Sequence, residues 1–185
     1  CGLQQGRDET DNRELPFDPG TIDYVLVTHA HIDHTGRIPL LVRQGFTGQI
    51  WTTRLTARLM EIMLIDSAYI QQSDADYENR KNQRAGRPPV EPLYTVEDAQ
   101  RVQGYVHTRR YGVPFQLCEG VTVTFSDAGH LLGSCSITLE VTEGDVKKTV
   151  VFSGDIGNIN QPIIRDPVLL TKADYVVMES TYGDR

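Results

Sequence analysis

Three of the chain's five histidines fall within six positions, in Thr28-His29-Ala30-His31-Ile32-Asp33-His34. Imidazoles packed this densely beside a carboxylate are the composition of a metal cradle. His29 and His31 are two residues apart, directly after the β-rich apolar run Tyr24–Thr28. At a strand end residues i and i+2 point the same way, so both rings can converge on one ion. Asp33 and His34 are adjacent, on what reads as a loop beyond a turn, and reach a second ion more easily than the first. The spacing therefore predicts two metal ions. Nitrogen and carboxylate donors without thiolate favour Zn²⁺, with Mn²⁺ or Fe as alternatives.

Two further candidates lie downstream. His130, in Asp127-Ala128-Gly129-His130-Leu131-Leu132-Gly133, and Asp155, in Ser153-Gly154-Asp155-Ile156-Gly157, both sit between glycines close to strand ends. There the backbone has to bend to aim a side chain. Taken alone, His130 reads as a structural histidine and Asp155 as a turn cap; the unfinished cluster upstream makes ligands of them.

The positioning elements read as follows. Tyr24–Thr28 is a buried strand, and Gly36–Gln44 a helix stopped by Gly45. Gly48–Thr53 is a short strand. From Thr53 a helix is expected, with Leu55, Leu59, Ile62, Ile65 or Asp66, and Tyr69 as its apolar stripe. After Tyr77 the stripe fades into a polar stretch rich in Pro and Gly, expected to be a solvated, mobile loop. Thr95 is a plausible N-cap for a helix with Glu97 and Asp98 in its first turn. Val121–Ser126, Ser136–Thr142 and Thr149–Asp155 are strands, the last two joined by a turn at Glu143–Asp145, and Ala173–Ser180 is a further buried strand. Antiparallel strand runs with helices between them suggest two packed sheets flanked by helices.

The 185 residues suffice for one sizeable core, and 39% hydrophobic with 23% charged residues is an ordinary globular composition. No apolar run approaches the roughly 20 residues of a membrane span, and no signal peptide is visible, so a cytoplasmic protein is expected. Three cysteines without a CxxC pair argue against a disulfide framework or a thiolate zinc site. A net charge of −7 excludes a protein that grips nucleic acid with its whole surface, but suits one that loads divalent cations. The basic concentrations are Arg80, Lys81, Arg84 and Arg87, and the pair Arg109-Arg110. They could touch phosphates, though a solvated loop and helix end is the plainer reading. His107 reads as structural or surface.

The constellation resembles the metallo-β-lactamase superfamily, whose hallmark HxHxDH stands here as His29-Ala30-His31-Ile32-Asp33-His34. The resemblance implies an αββα four-layer sandwich of the α/β (α+β) class, with the metals at the edge of the two sheets. It implies that His29, His31 and His130 hold one zinc, that Asp33 and His34 hold the other, and that Asp155 bridges them. The segments Asp127–Ser134, Phe152–Gly157 and Met178–Arg185, in that order, look like the nucleic-acid-processing β-CASP branch, which comprises ribonucleases. In that branch Glu179 matches the acidic residue that follows the bridging aspartate. By the same resemblance residues 1–185 are the N-terminal part of the catalytic domain. A β-CASP cap, the remaining metal-binding histidine and the histidine beside the leaving group are then expected beyond residue 185.

The implied reaction is metal-dependent hydrolysis of RNA, endonucleolytic or 5′–3′ exonucleolytic. Two Zn²⁺ ions about 3.5–4 Å apart clamp the phosphoryl group while a metal-bridging hydroxide attacks phosphorus. Asp33, Asp155 and Glu179 are the expected catalytic carboxylates. RNA is the expected partner and no membrane is, with a homodimer left open. Two rivals remain at this level: a small-molecule metallo-hydrolase of thioesterase or lactonase type, and a non-catalytic RNA-binding subunit on the same fold.

Overall fold

The computed structural model describes residues 1–4, 12–181 and 183. Its elements are β1 (Tyr24–Leu26), α1 (Ile32–Thr35), α2 (Ile38–Arg43), β2 (Gln49–Thr53), α3 (Arg54–Ala85), α4 (Val96–Arg101), β3 (Val106–Arg109), β4 (Phe115–Cys118), β5 (Val121–Asp127), β6 (Cys135–Glu143), β7 (Val146–Phe152) and β8 (Tyr175–Val177). Two sheets form, one ordered β1-β2-β3 and one ordered β4-β5-β6-β7-β8. The second is antiparallel from β4 to β7, and β8 joins it parallel to β7, with Val151 opposite Val176. Sheets and helices together match the expected mixed class.

The chain resolves into two compact units. The first comprises Cys1–Val25, Ala30–Ile50 and Arg58–Val106; the second comprises Leu26–His29, Trp51–Ala57 and His107–Arg185. In the first, Ile38, Leu41, Phe46, Met60, Leu64 and Tyr94 are fully buried. Each large apolar side chain so placed contributes about 1.5–3 kcal/mol. Tyr94 keeps its hydroxyl satisfied there, 3.0 Å from Ser67 Oγ. In the second, Val123, Phe125, Cys135 and Ile137 form the buried face of β5 and β6. The alternation expected for these strands is what sends them to that side.

Several elements differ from the sequence reading. β1 stops at Leu26, so two residues separate the strand from His29. The supposed loop at Asp33 and His34 is the short helix α1. A separate α2 begins at Ile38 with Pro39 in its first turn, where a missing N–H costs nothing. β7 starts three residues earlier than expected and ends at Phe152, and β3 and β4 appear where no strand was anticipated.

The largest corrections concern α3 and β8. The helix does not fade at Tyr77 but continues to Ala85, because Glu, Arg, Lys, Gln and Ala all favour helix despite their polarity. Its buried face is Thr56, Ala57, Met60, Leu64, Ala68 and Ala75, whereas Leu55, Ile62, Tyr69 and Tyr77 lie on the solvent side, each more than half exposed. The following loop is fastened to the helix: Asn79 exchanges two hydrogen bonds with the Val90 backbone at 2.9 and 2.7 Å. Thr95 does cap α4, in a reciprocal capping box with Asp98. The strand β8 is three residues long and exposed, not buried.

Candidate metal centre

The segment Leu26–His29 is fixed by its own backbone. Val27 N–H donates to Trp51 O (3.0 Å), Thr52 Oγ1 donates to Val27 O (2.9 Å), and Cys135 N–H donates to Thr28 O (2.8 Å). His29 is thereby buried completely. Its Nδ1 lies 3.1 Å from Thr28 Oγ1, and its Nε2 lies 3.6 Å from Asp155 Oδ2.

His130 reaches the same carboxylate oxygen from another loop, with its Nε2 also 3.6 Å away. The two rings meet edge to face, centroids 5.0 Å apart. One ligand atom from each of His29, His130 and Asp155 lies within 4.8 Å of the others. Ser134 shapes the His130 loop. Its Oγ accepts from the N–H groups of His130 (3.1 Å) and Leu131 (3.2 Å), and its carbonyl accepts from Ala128 N–H (3.2 Å) and from the Tyr111 hydroxyl (2.8 Å).

The Asp155 loop leaves β7 through two positions that require glycine. Gly154 has φ +58°, and a Cβ there would sit 2.8 Å from Thr28 Cβ. A Cβ on Gly157 would sit 1.6 Å from Gly129 O, and Gly157 N–H donates to Ala128 O at 2.9 Å. The loops carrying Asp155 and His130 therefore lie main chain against main chain. Glu179 closes the arrangement. Its Oε1 accepts from Ile156 N–H at 2.8 Å, and its own N–H donates to Ser153 Oγ at 3.2 Å.

Of the other expected ligands, His31 occupies the N-cap position of α1. Its carbonyl accepts from His34 N–H (3.0 Å), Thr35 N–H (2.9 Å) and Thr35 Oγ1 (2.9 Å). Asp33 and His34 lie within α1, half-exposed, with Oδ2 and Nε2 3.7 Å apart. The residues Cys1–Leu3 brace this helix: Leu3 N–H donates to Ile32 O (2.9 Å), Arg37 N–H to Cys1 O (2.7 Å) and Arg37 Nε to Gly2 O (2.8 Å).

Thr28, Ser134, Ser153 and Arg37 escaped the sequence reading. Each touches backbone or a ligand's far side, and a lone hydroxyl or guanidinium in a sequence carries no mark of that. For Thr28 the signal was adjacency to His29. Tyr182, Asp184 and Arg185 of the Met178–Arg185 segment lie outside the described residues. His107, read as structural, stacks on Trp51 with centroids 4.7 Å apart.

The donor set is imidazole nitrogen and carboxylate oxygen around a buried ring, which suits a divalent transition ion. The family model described as the metallo-beta-lactamase superfamily matches residues 6–180. Ribonuclease TTHA0252 of Thermus thermophilus is 38% identical over all of this chain and 38% of its own length. The RNase J-like protein of Methanocaldococcus jannaschii is 31% identical over 99% of this chain and 36% of its own length. Transcription termination factor FttA of Thermococcus kodakarensis is 32% identical over 90% of this chain and 24% of its own length. The chain thus spans well under half of these curated relatives.

Proposed function

The chain belongs to the metallo-β-lactamase superfamily, and on that premise we propose that it is the N-terminal part of the catalytic domain of a β-CASP ribonuclease. The observation that carries the reading is the convergence of His29 and His130 on one oxygen of Asp155. A lone imidazole pair has no need of a shared carboxylate; a metal does. Relatives named for ribonuclease activity support RNA as the substrate.

In this reading His29, His31, His130 and Asp155 would contribute ligands to one Zn²⁺, and Asp33 and His34 would contribute to a second. When bound, the ions supply Lewis acidity toward the phosphoryl oxygens and toward water. The protein's own groups do the rest. Thr28 Oγ1, 3.1 Å from His29 Nδ1, would accept that N–H in the tautomer that leaves Nε2 as the ligand atom, and so would fix the ring's orientation. Asp155 would offer its carboxylate to the ions from the loop after β7. Glu179 would position Asp155 by holding the next backbone N–H. Among the described residues no helix is long and apolar enough to cross a membrane. The cytoplasmic placement is part of the same proposal, and three cysteines without a disulfide agree with it.

The test is cleavage of an end-labelled RNA by the full-length protein. Loss of cleavage with a chelator, restoration by Zn²⁺ and loss in Asp155→Ala are expected. Cleavage indifferent to chelation, or turnover of a lactone or thioester with none of RNA, overturns the reading.

A further inference from the structure

Resting on the ribonuclease reading, we propose that the C-terminal end of α3 and the loop fastened to it form a contact surface for single-stranded RNA. Phosphates would be held by Arg80, Arg84 and Arg87, and a base would pack against Tyr77.

Charge comes first. In a chain of net charge −7, the twelve residues Asn79–Val90 hold three arginines and one lysine and no acid. Tyr77, Arg80, Lys81 and Arg84 recur at spacings of three, one and three, so they share one side of the helix. That side is opposite the one that buries Ala75 and Asn82, and all four residues are exposed. Lys81 has a carboxylate partner, Glu78, at 3.6 Å. Among the described residues Arg80, Arg84 and Arg87 have none.

Geometry comes second. Arg87 is not on a free loop. Its N–H donates to Asn82 O at 2.9 Å, and three residues later Val90 is clasped by the Asn79 side chain. The cations are thus set in advance along one helix end, at less ordering cost than a mobile tail would incur. The ring of Tyr77 is 56% exposed. Lys81 Nζ lies 4.2 Å, and Arg80 Cζ 5.9 Å, from the ring centroid. An exposed ring flanked by cations is the composition that binds single strands by stacking and phosphate neutralisation.

The helix dipole does not account for the arrangement. Its preference for cations falls off within the last turn, whereas Arg80 lies a turn before Arg84 and Arg87 lies beyond the helix. Tyr77 also forms part of the wall of the first unit's cavity of about 860 Å³, where Asp66, Asp74, Glu78 and Glu91 repel phosphate, so the phosphates are assigned to the arginine side of Tyr77 and not to the cavity.

The experiment is equilibrium binding of a hydrolysis-resistant oligouridylate to the full-length protein, across about 50–200 mM salt. Each phosphate contact removed lowers the slope of log K against log salt by about 0.7, so Arg80→Ala/Arg84→Ala/Arg87→Ala should lower it by about 2. Affinity at the low-salt end should fall roughly tenfold or more. The charge-conserving Arg→Lys triple variant should keep the slope. Tyr77→Ala should weaken binding roughly fivefold with the slope unchanged, since stacking releases no counterions. Hydrolysis of bis-(p-nitrophenyl) phosphate should be unaltered in all of them. Wild-type slope and affinity in the triple Ala variant, with the wild type cutting RNA, overturns this inference alone. A wild type that neither binds nor cuts RNA overturns the ribonuclease reading, and this inference with it.

Discussion

Glu179 Oε1 accepts the backbone N–H of Ile156 at 2.8 Å, one residue past Asp155 and 23 residues back along the chain. A charge-assisted bond to that amide fixes the exit of the Asp155 loop. Partners of this kind typically contribute about 10–100-fold to metal affinity or activity. Glu179→Ala should lower RNA cleavage by about that factor and weaken metal retention measured by elemental analysis. Glu179→Gln keeps an acceptor oxygen and should lose less. Equal losses in both variants would mean that the carboxylate acts on the reaction directly.

Thr28→Val tests the other side of the centre. The substitution keeps the shape and removes the oxygen 3.1 Å from His29 Nδ1. Metal affinity, read by competition with a chromogenic chelator, should fall about tenfold. The fold should be little affected, because the backbone of Thr28 still accepts from Cys135 N–H.

Gly154→Ala should destabilise without touching a ligand. A side chain at φ +58° costs roughly 1–2 kcal/mol and here also meets Thr28. For a domain of this size each kcal/mol shifts Tm by about 2–4 °C. A thermal melt unchanged from wild type would show that the loop can move aside.

Alkaline stability should depend on Tyr111. Its phenol is pushed above the ordinary 10.0, first by burial and then by Asp127 and Cys135. A folded-state pKa above the unfolded one means that the associated stability is complete below about pH 10 and is lost as pH rises toward the folded value. Tyr111→Phe should therefore flatten the alkaline limb of a stability–pH profile. At neutral pH it should cost about 1 kcal/mol for the lost bond to Ser134 O. An unchanged alkaline limb would contradict the assignment.

The sequence points to metal ligands at His29, His31, Asp33 and His34 because few other roles explain these residue types so close together. Glycines marked His130 and Asp155 because a backbone that must approach another backbone cannot carry side chains. α3 was misread for a physical reason. Four of its large apolar residues, Leu55, Ile62, Tyr69 and Tyr77, face solvent, while the small residues Thr56, Ala57, Ala68 and Ala75 share the buried face with Met60 and Leu64. Periodicity weighted by size then selects the wrong side. The run Glu78–Ala85 looks like a loop by its polarity, but its helix propensity prevails. Asp33 and His34 carry no helical signal in the sequence because a four-residue helix has too few positions to show a period.

The main-chain meeting of Gly157 with Gly129 bears on how this centre can vary through evolution. The spacing between His130 and Asp155 depends on two abutting peptide segments, so exposed neighbours such as Leu132, Ile156 and Ile159 are free to drift. A change in the length of either loop would move both donor atoms at once. Substitution should therefore be tolerated around the two ligands far more readily than insertion or deletion.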